Sequence, residues 1–422
     1  MMPACSLRDL KGENQVLFRI PELIVGGMPM ETKSVNEFPE LSLMEGGPGD
    51  ALMKRLGLIR PEFGGASART AISLAALTWL PLLVFSSIEG LALGGARIPF
   101  LYDLAAHARF LVAVPILVLA EIPIGRRLRK VAQRFLDAGL VREKERKRFA
   151  SCVIDTVRFR DWRLAEPILL ALTYITTYAA ISMTSLQSGS TWFESPLTVG
   201  LSPVGYYYAL VSLPIFQFLM YRWAFRMIVW ARFLWQVSKL DLFLTPTHPD
   251  GAGGLGFVGK GSIPFGFILF ALSSVVSAAI ASRIIFSGAK LEAFEVTYAT
   301  LILLLLIVFA APSMVLAPKL FRLKQDGSSR YGTLATRYTQ QFESKWVDGI
   351  NTSEEPLLGT ADIQSLADLG NSYELIRKMR VVPMARNDFI AMALPAAIPV
   401  LPLAAIVMPV GEILKGILKL LG

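Results

Sequence analysis

Apolar residues in this chain fall in long unbroken blocks, not at the alternating spacing of half-buried strands, and the blocks recur seven times. They cover residues 71–92, 106–124, 165–185, 205–230, 263–286, 296–316 and 389–409. Each approaches the ~20 residues that a helix rising ~1.5 Å per residue needs to cross ~30 Å of hydrocarbon. Backbone inside lipid must satisfy its own hydrogen bonds, so runs of this length predict helices and not barrel strands. The pattern therefore predicts an all-α, polytopic membrane helix bundle of about seven spans. Two runs are irregular. The second is short and carries Pro115, Glu121 and Pro123, which predicts a kink or an incomplete crossing. The seventh holds Pro395, Pro399, Pro402 and Pro409, a density that also fits a broken helix or a re-entrant hairpin, so the count ranges from six to eight.

The polar stretches complete the organisation. Residues 1–69 are rich in Gly and Pro, lack an apolar run long enough for a signal peptide, and read as a cytoplasmic, partly disordered segment. Within them "GDALMKRLGLIRPE" predicts a short amphipathic helix on the inner leaflet. Residues 70–318 form the bundle, interrupted by a basic loop at 125–164 and a Gly-rich loop at 244–262. Residues 319–386 carry two helical patterns, "RYGTLATRYTQQFESKWV" and 360–379, the second capped by Thr360 with Ile363, Leu366, Tyr373 and Ile376 on one face. They predict a small cytoplasmic helical layer resting on the bundle. Residues 387–422 supply the last span and, from "GEILKGILKLLG", an amphipathic C-terminal helix.

Composition excludes an ordinary soluble protein: the 422 residues are 53% hydrophobic and 18% charged, with a mean hydropathy of +0.51. Charge then orients the bundle, because cytoplasmic loops retain Lys and Arg. Residues 125–166 contain thirteen of them, whereas 186–204 contain none. The N-terminus, 125–164, 231–262 and 319–386 are thus expected on the cytoplasmic side, with 186–204 opposite. Topology and contact with anionic lipid headgroups account for most of the net charge of +9, and no nucleic-acid partner is expected. Cys5 and Cys152 both fall on the cytoplasmic side, where disulfides are rare.

Chemistry is sparser. "LTPTHPDGAGGLGFVGKGS", residues 244–262, contains a GxGxxG, most of a phosphate-binding loop and a His-Pro-Asp triplet. A dinucleotide fingerprint works only between a strand and a crossover helix, and here a span follows. The phosphate loop fails because Gly261 stands where a magnesium-binding hydroxyl is required, with Ser262 one place late. The triplet lacks the flanking soluble helices of a J-domain. What remains is a turn in which Gly254, Gly256 and Gly259 permit close backbone approach, with Ser262 and Pro264 expected as N-cap and first turn of the fifth span. Free amides there, beside Lys260, predict an anion or ligand loop that also includes His248 and Asp250. The bland alternative, a tight connector against the bundle, is the favoured reading. The fourth span has Arg222 and Arg226 four residues apart, hence on one face. Either they snorkel to headgroups, or they pair with Glu121 or Glu166 to line a polar cavity. His248 with Asp250, Asp241 and Asp362 is a weak candidate metal set, and no catalytic residue or cofactor is specified.

"THPDGAGGLGF", "LLGTADIQSLADLGNSYELIRKMRVVP" and "ALPAAIPVLPLAAIVMPVGEILKGILKLLG" together resemble a family of uncharacterised bacterial inner-membrane proteins. The resemblance runs from the first span to the C-terminus. It implies a bacterial inner membrane and carries no catalytic residue with it. The function expected is a channel or transporter, homo-oligomeric and regulated from its cytoplasmic face. A regulatory or scaffold subunit of a larger membrane complex is the alternative, and a membrane-embedded enzyme the third reading.

Overall fold

Long apolar runs do become helices, and the charged stretches between them become helices too. A computed structural model describes residues 65–185, 191–195, 200–348 and 361–403, together with Gly46. All of these lie in one unit, Pro39–Gly422. The polar segment before residue 65, Cys5 and the proposed inner-leaflet helix fall outside them, Gly46 apart, as do Thr360 and the C-terminal amphipathic stretch. The elements are α1 (Gly65–Ile88), α2 (Leu104–Asp137), α3 (Arg146–Arg160), α4 (Ala165–Ser185), α5 (Pro203–Ser238), α6 (Gly256–Ser287), α7 (Glu295–Met314), α8 (Ala317–Phe342), α9 (Ala361–Lys378) and α10 (Arg386–Ala397). Six of them, α1, α2, α4, α5, α6 and α7, are long and apolar enough to cross a membrane. The protein is an all-α, multi-pass membrane bundle.

Two expectations about the spans change. The second run is not short: it is the middle of a 34-residue helix, α2, ~51 Å long by its rise and so longer than the hydrocarbon is thick. Its prolines are absorbed where the ladder is already irregular. A π-helical turn at Ala108–Ala113 precedes Pro115, and a break at Ala120 precedes Pro123. The seventh run does not reach spanning length among the described residues. It gives α10, with Pro395 inside it, then a 3-10 turn at Ile398–Val400. α10 packs on α6 where the missing side chain of Gly266 leaves room for Pro395 and the Met392 carbonyl.

Contacts divide the connections into two ends. At the basic end, α2 projects beyond its apolar part and α3 folds back on α5. Val141 bridges Leu242, and Lys319 at the start of α8 donates to the carbonyls of Ser238 and Leu240. What sequence alone presents as a basic loop is therefore two helices. α8 and α9 pair to form the expected layer. Ile376 is fully buried there, where α9 packs on α8, but Ile363 is 47% exposed. At the far end an Ile98–Thr191 bridge joins 89–103 to 191–195, and a Glu194–Leu201 bridge joins 191–195 to 200–202.

Candidate functional site

Two parallel helices, α2 and α5, carry the charges that enter the bundle. Their spacing follows from the sequence: Arg222 and Arg226 are one turn apart on α5, and Glu121 begins the segment of α2 that follows the Ala120 break. The Glu121 carboxylate lies 2.8 Å from the Arg226 guanidinium and 3.6 Å from that of Arg222. Both arginine side chains are largely buried, 6% and 11% exposed, which is not the geometry of side chains reaching out to headgroups. Arg226 also sits 5.1 Å over the Trp223 ring, and Trp223 donates its indole N–H to the Leu117 carbonyl. About three turns towards the far end, at the two π-helical turns of α2 and α5, Arg109 donates to the Tyr208 hydroxyl at 2.8 Å and faces the ring of Phe216. The α2–α5 contact is thus a seam with charged groups at two levels ~18 Å apart. Glu166 is not part of it; among the described residues it forms no ion pair, and Glu121 holds both arginines.

The amides expected to be free beside Lys260 are in part already engaged. Asp250 holds three of them with its own carboxylate: Oδ1 accepts from Ala252 N at 2.8 Å and Gly254 N at 3.1 Å, and Oδ2 accepts from Gly256 N at 2.8 Å. Burial alone would push this carboxyl up, but the three amides and His248 outweigh it and hold the group below its ordinary 3.8. His248 Nδ1 lies 2.9 Å from Asp250 Oδ1 and 3.2 Å from Asp250 N, so a protonated ring can donate to the carboxylate and a neutral one can accept from the amide. The glycines serve this turn. Gly254 has φ +95°, and at Gly259 a β-carbon would lie 2.4 Å from the Pro383 carbonyl. The loop is tied to the helical layer by Arg380, whose guanidinium donates to the Asp250 carbonyl at 2.7 Å and whose N–H donates to that of Gly251.

Ser262 does not cap the fifth span. That span starts six residues earlier, at Gly256, and the Ser262 hydroxyl instead meets Ser313 of α7 at 3.2 Å. The weak metal set is dispersed. Asp241 pairs with Lys144 and Arg142, and Asp362 accepts from Lys345 and Trp346; the first partner in each case holds the carboxyl below its usual range. Among the described residues no three His, Cys, Asp or Glu side chains converge.

A polar and aromatic network at the far end was not anticipated from the sequence. Asp103 caps α2 by accepting from Ala106 N and also accepts the indole N–H of Trp192 at 2.9 Å. Trp79 donates to His107 Nδ1 at 2.9 Å, which leaves the other ring nitrogen to donate to the Leu101 carbonyl. Phe100, Phe193 and Tyr208 pack edge-on or stacked among these rings, and Glu89 accepts from Val204 N. Helices α1, α2 and α5 and the connections 89–103 and 191–195 supply these groups, and only the Asp-x-x-x-His spacing of Asp103 and His107 was a local signal. No protein family, curated protein or solved structure matches this chain.

Proposed function

We propose that this chain is a transport protein, a carrier or channel of a bacterial inner membrane with its basic end in the cytoplasm, and that the α2–α5 seam lines its path. One observation carries the reading: Arg109, Glu121, Arg222 and Arg226 all face the interior of the bundle from membrane-spanning helices. Ionisable groups in hydrocarbon are expensive, so their placement on one internal contact is best explained by a polar solute or ion that uses it. Arg380, holding the Asp250 turn at the start of α6, gives the helical layer a direct grip on a spanning helix and supports regulation from that side. A homo-oligomer remains part of the proposal and is read by the mass of the purified particle.

The test is charge exchange in proteoliposomes, with fluxes of chloride, phosphate, potassium and protons measured in parallel. Glu121→Arg and Arg226→Glu should each abolish whichever flux the native protein supports, and the double exchange should restore part of it. Equal loss in single and double variants, or unchanged flux in Glu121→Gln, removes the seam from the path. Lysine at both 222 and 226 separates the alternatives further: it should reduce flux, because lysine lacks the planar fork that lets both side chains share one carboxylate.

A further inference from the structure

One face of α2 carries on, across the bend at Ala120, from the membrane interior into the basic end. Ile116, Leu119, Ala120 and Pro123 line an apolar groove of about 560 Å³, and Arg127, Lys130 and Arg134, three or four residues apart on the same face, line a basic pocket of about 400 Å³. α6 supplies the opposite wall of both, running the other way: Phe267 and Phe270 at the groove, Phe257 at the pocket. Pro395 and Ile398 of α10 complete the groove. The change from apolar to cationic falls between Pro123 and Arg127, about one helical turn, where the hydropathy of α2 also changes.

We propose that this face binds one anionic phospholipid, its phosphate in the basic pocket and an acyl chain in the groove. Both cavities fall within the ~300–1,000 Å³ of ordinary ligand sites. From Ile116 to Arg134 the face is ~27 Å long by helical rise. One leaflet, from midplane to the outer edge of the headgroups, measures ~20–22 Å. Charge selects the headgroup. Arg127 donates to the Lys260 carbonyl at 3.4 Å and Arg134 lies 5.5 Å over the Phe257 ring, contacts that bring no negative charge, and Asp137 is the one carboxylate in the lining. Gln133 adds a neutral donor. The occupant is a lipid and not a soluble phosphate because the groove, lined throughout by apolar side chains, opens where only hydrocarbon would reach it, with Leu119 39% and Phe267 50% exposed.

The full chain, purified in a neutral detergent, is titrated with phosphatidylglycerol, with phosphatidylcholine of the same chains and with inorganic phosphate, and bound lipid is counted by native mass spectrometry. Phosphatidylglycerol should saturate at one molecule and bind tighter than phosphatidylcholine, and phosphate should not compete. Arg127→Gln, Lys130→Gln and Arg134→Gln together should weaken phosphatidylglycerol about a hundred-fold, from roughly five-fold per surface cation. Leu119→Trp, which fills the groove, should weaken both lipids. Removing three cations from elsewhere on the basic end, Lys147→Gln, Arg158→Gln and Arg163→Gln, should leave binding within about two-fold. If the triple pocket variant fails to fold, Lys130→Gln alone, at an exposed position, should still lose about five-fold. Unchanged affinity in the pocket variants, an equal loss in the control triple, or displacement of lipid by phosphate each overturns the proposal.

Discussion

Replacing Asp250 by alanine removes one carboxylate and strands three donors at once. The amides of Ala252, Gly254 and Gly256 all bond to it, and its side chain is 24% exposed, so water reaches the vacated place only in part. A hydrogen bond to a charged group contributes ~1.5–3 kcal/mol; with partial rehydration of the amides, a local loss of ~3 kcal/mol is expected. That is roughly a hundred-fold in the opening equilibrium of the turn. Asparagine at this position would keep an oxygen for Ala252 and Gly254 but present an amide to Gly256, so Asp250→Asn should lie between, at ~1–2 kcal/mol. The assay is hydrogen exchange on peptides covering 252–261, with those of α1 as internal reference. Because folding lowers the Asp250 pKa, its contribution is fully present above the unfolded value and is lost as pH falls through the still lower folded value, below 3.8. Exchange in Asp250→Ala that matched the native protein at pH 7 would refute the claim that this carboxylate builds the turn.

Four further outcomes follow from the same contacts. Gly259→Ala should destabilise the purified protein by ~1–3 kcal/mol, since its methyl meets the Pro383 carbonyl and Met384 backbone, whereas Gly370→Ala in open space on α9 should not; equal melting temperatures for both would contradict the close approach. Trp192→Phe should cost ~1–3 kcal/mol and loosen residues 191–195 to protease, because Asp103 Oδ2 loses its donor; an unchanged digestion pattern counts against the far-end network. Adding NAD or ATP should leave the melting temperature unchanged, and saturable stabilisation abolished by Lys260→Ala would restore a phosphate-binding role to the glycine turn. In cells, a membrane-impermeant thiol reagent should label Glu292→Cys and spare Lys147→Cys, each in a background lacking the native cysteines; the reverse pattern would invert the proposed orientation.

Period and length alone determined the class. Apolar runs near 20 residues can satisfy their backbone in lipid only as helices, so α1, α4, α5, α6 and α7 follow from local sequence, and so does the pairing of Arg222 with Arg226 on one face, which needs only the helical repeat. Where a chain position depends on what lies across from it, local pattern was silent. Pro115 and Pro123 predict a kink or an incomplete crossing, and only the tertiary structure places the π-turn and the Ala120 bend inside one long helix. Glu121 and Glu166 stood equal as partners until the packing of α2 on α5 brought one of them to both arginines. Free amides near Lys260 were a fair inference from glycine density, and only the tertiary structure shows the Asp250 carboxylate engaging three of them, as far along as Gly256 N. Trp79, Asp103, His107 and Trp192 come from stretches up to 113 positions apart, and a hydrogen bond between such residues is decided by how helices pack, a long-range property that no window of sequence encodes.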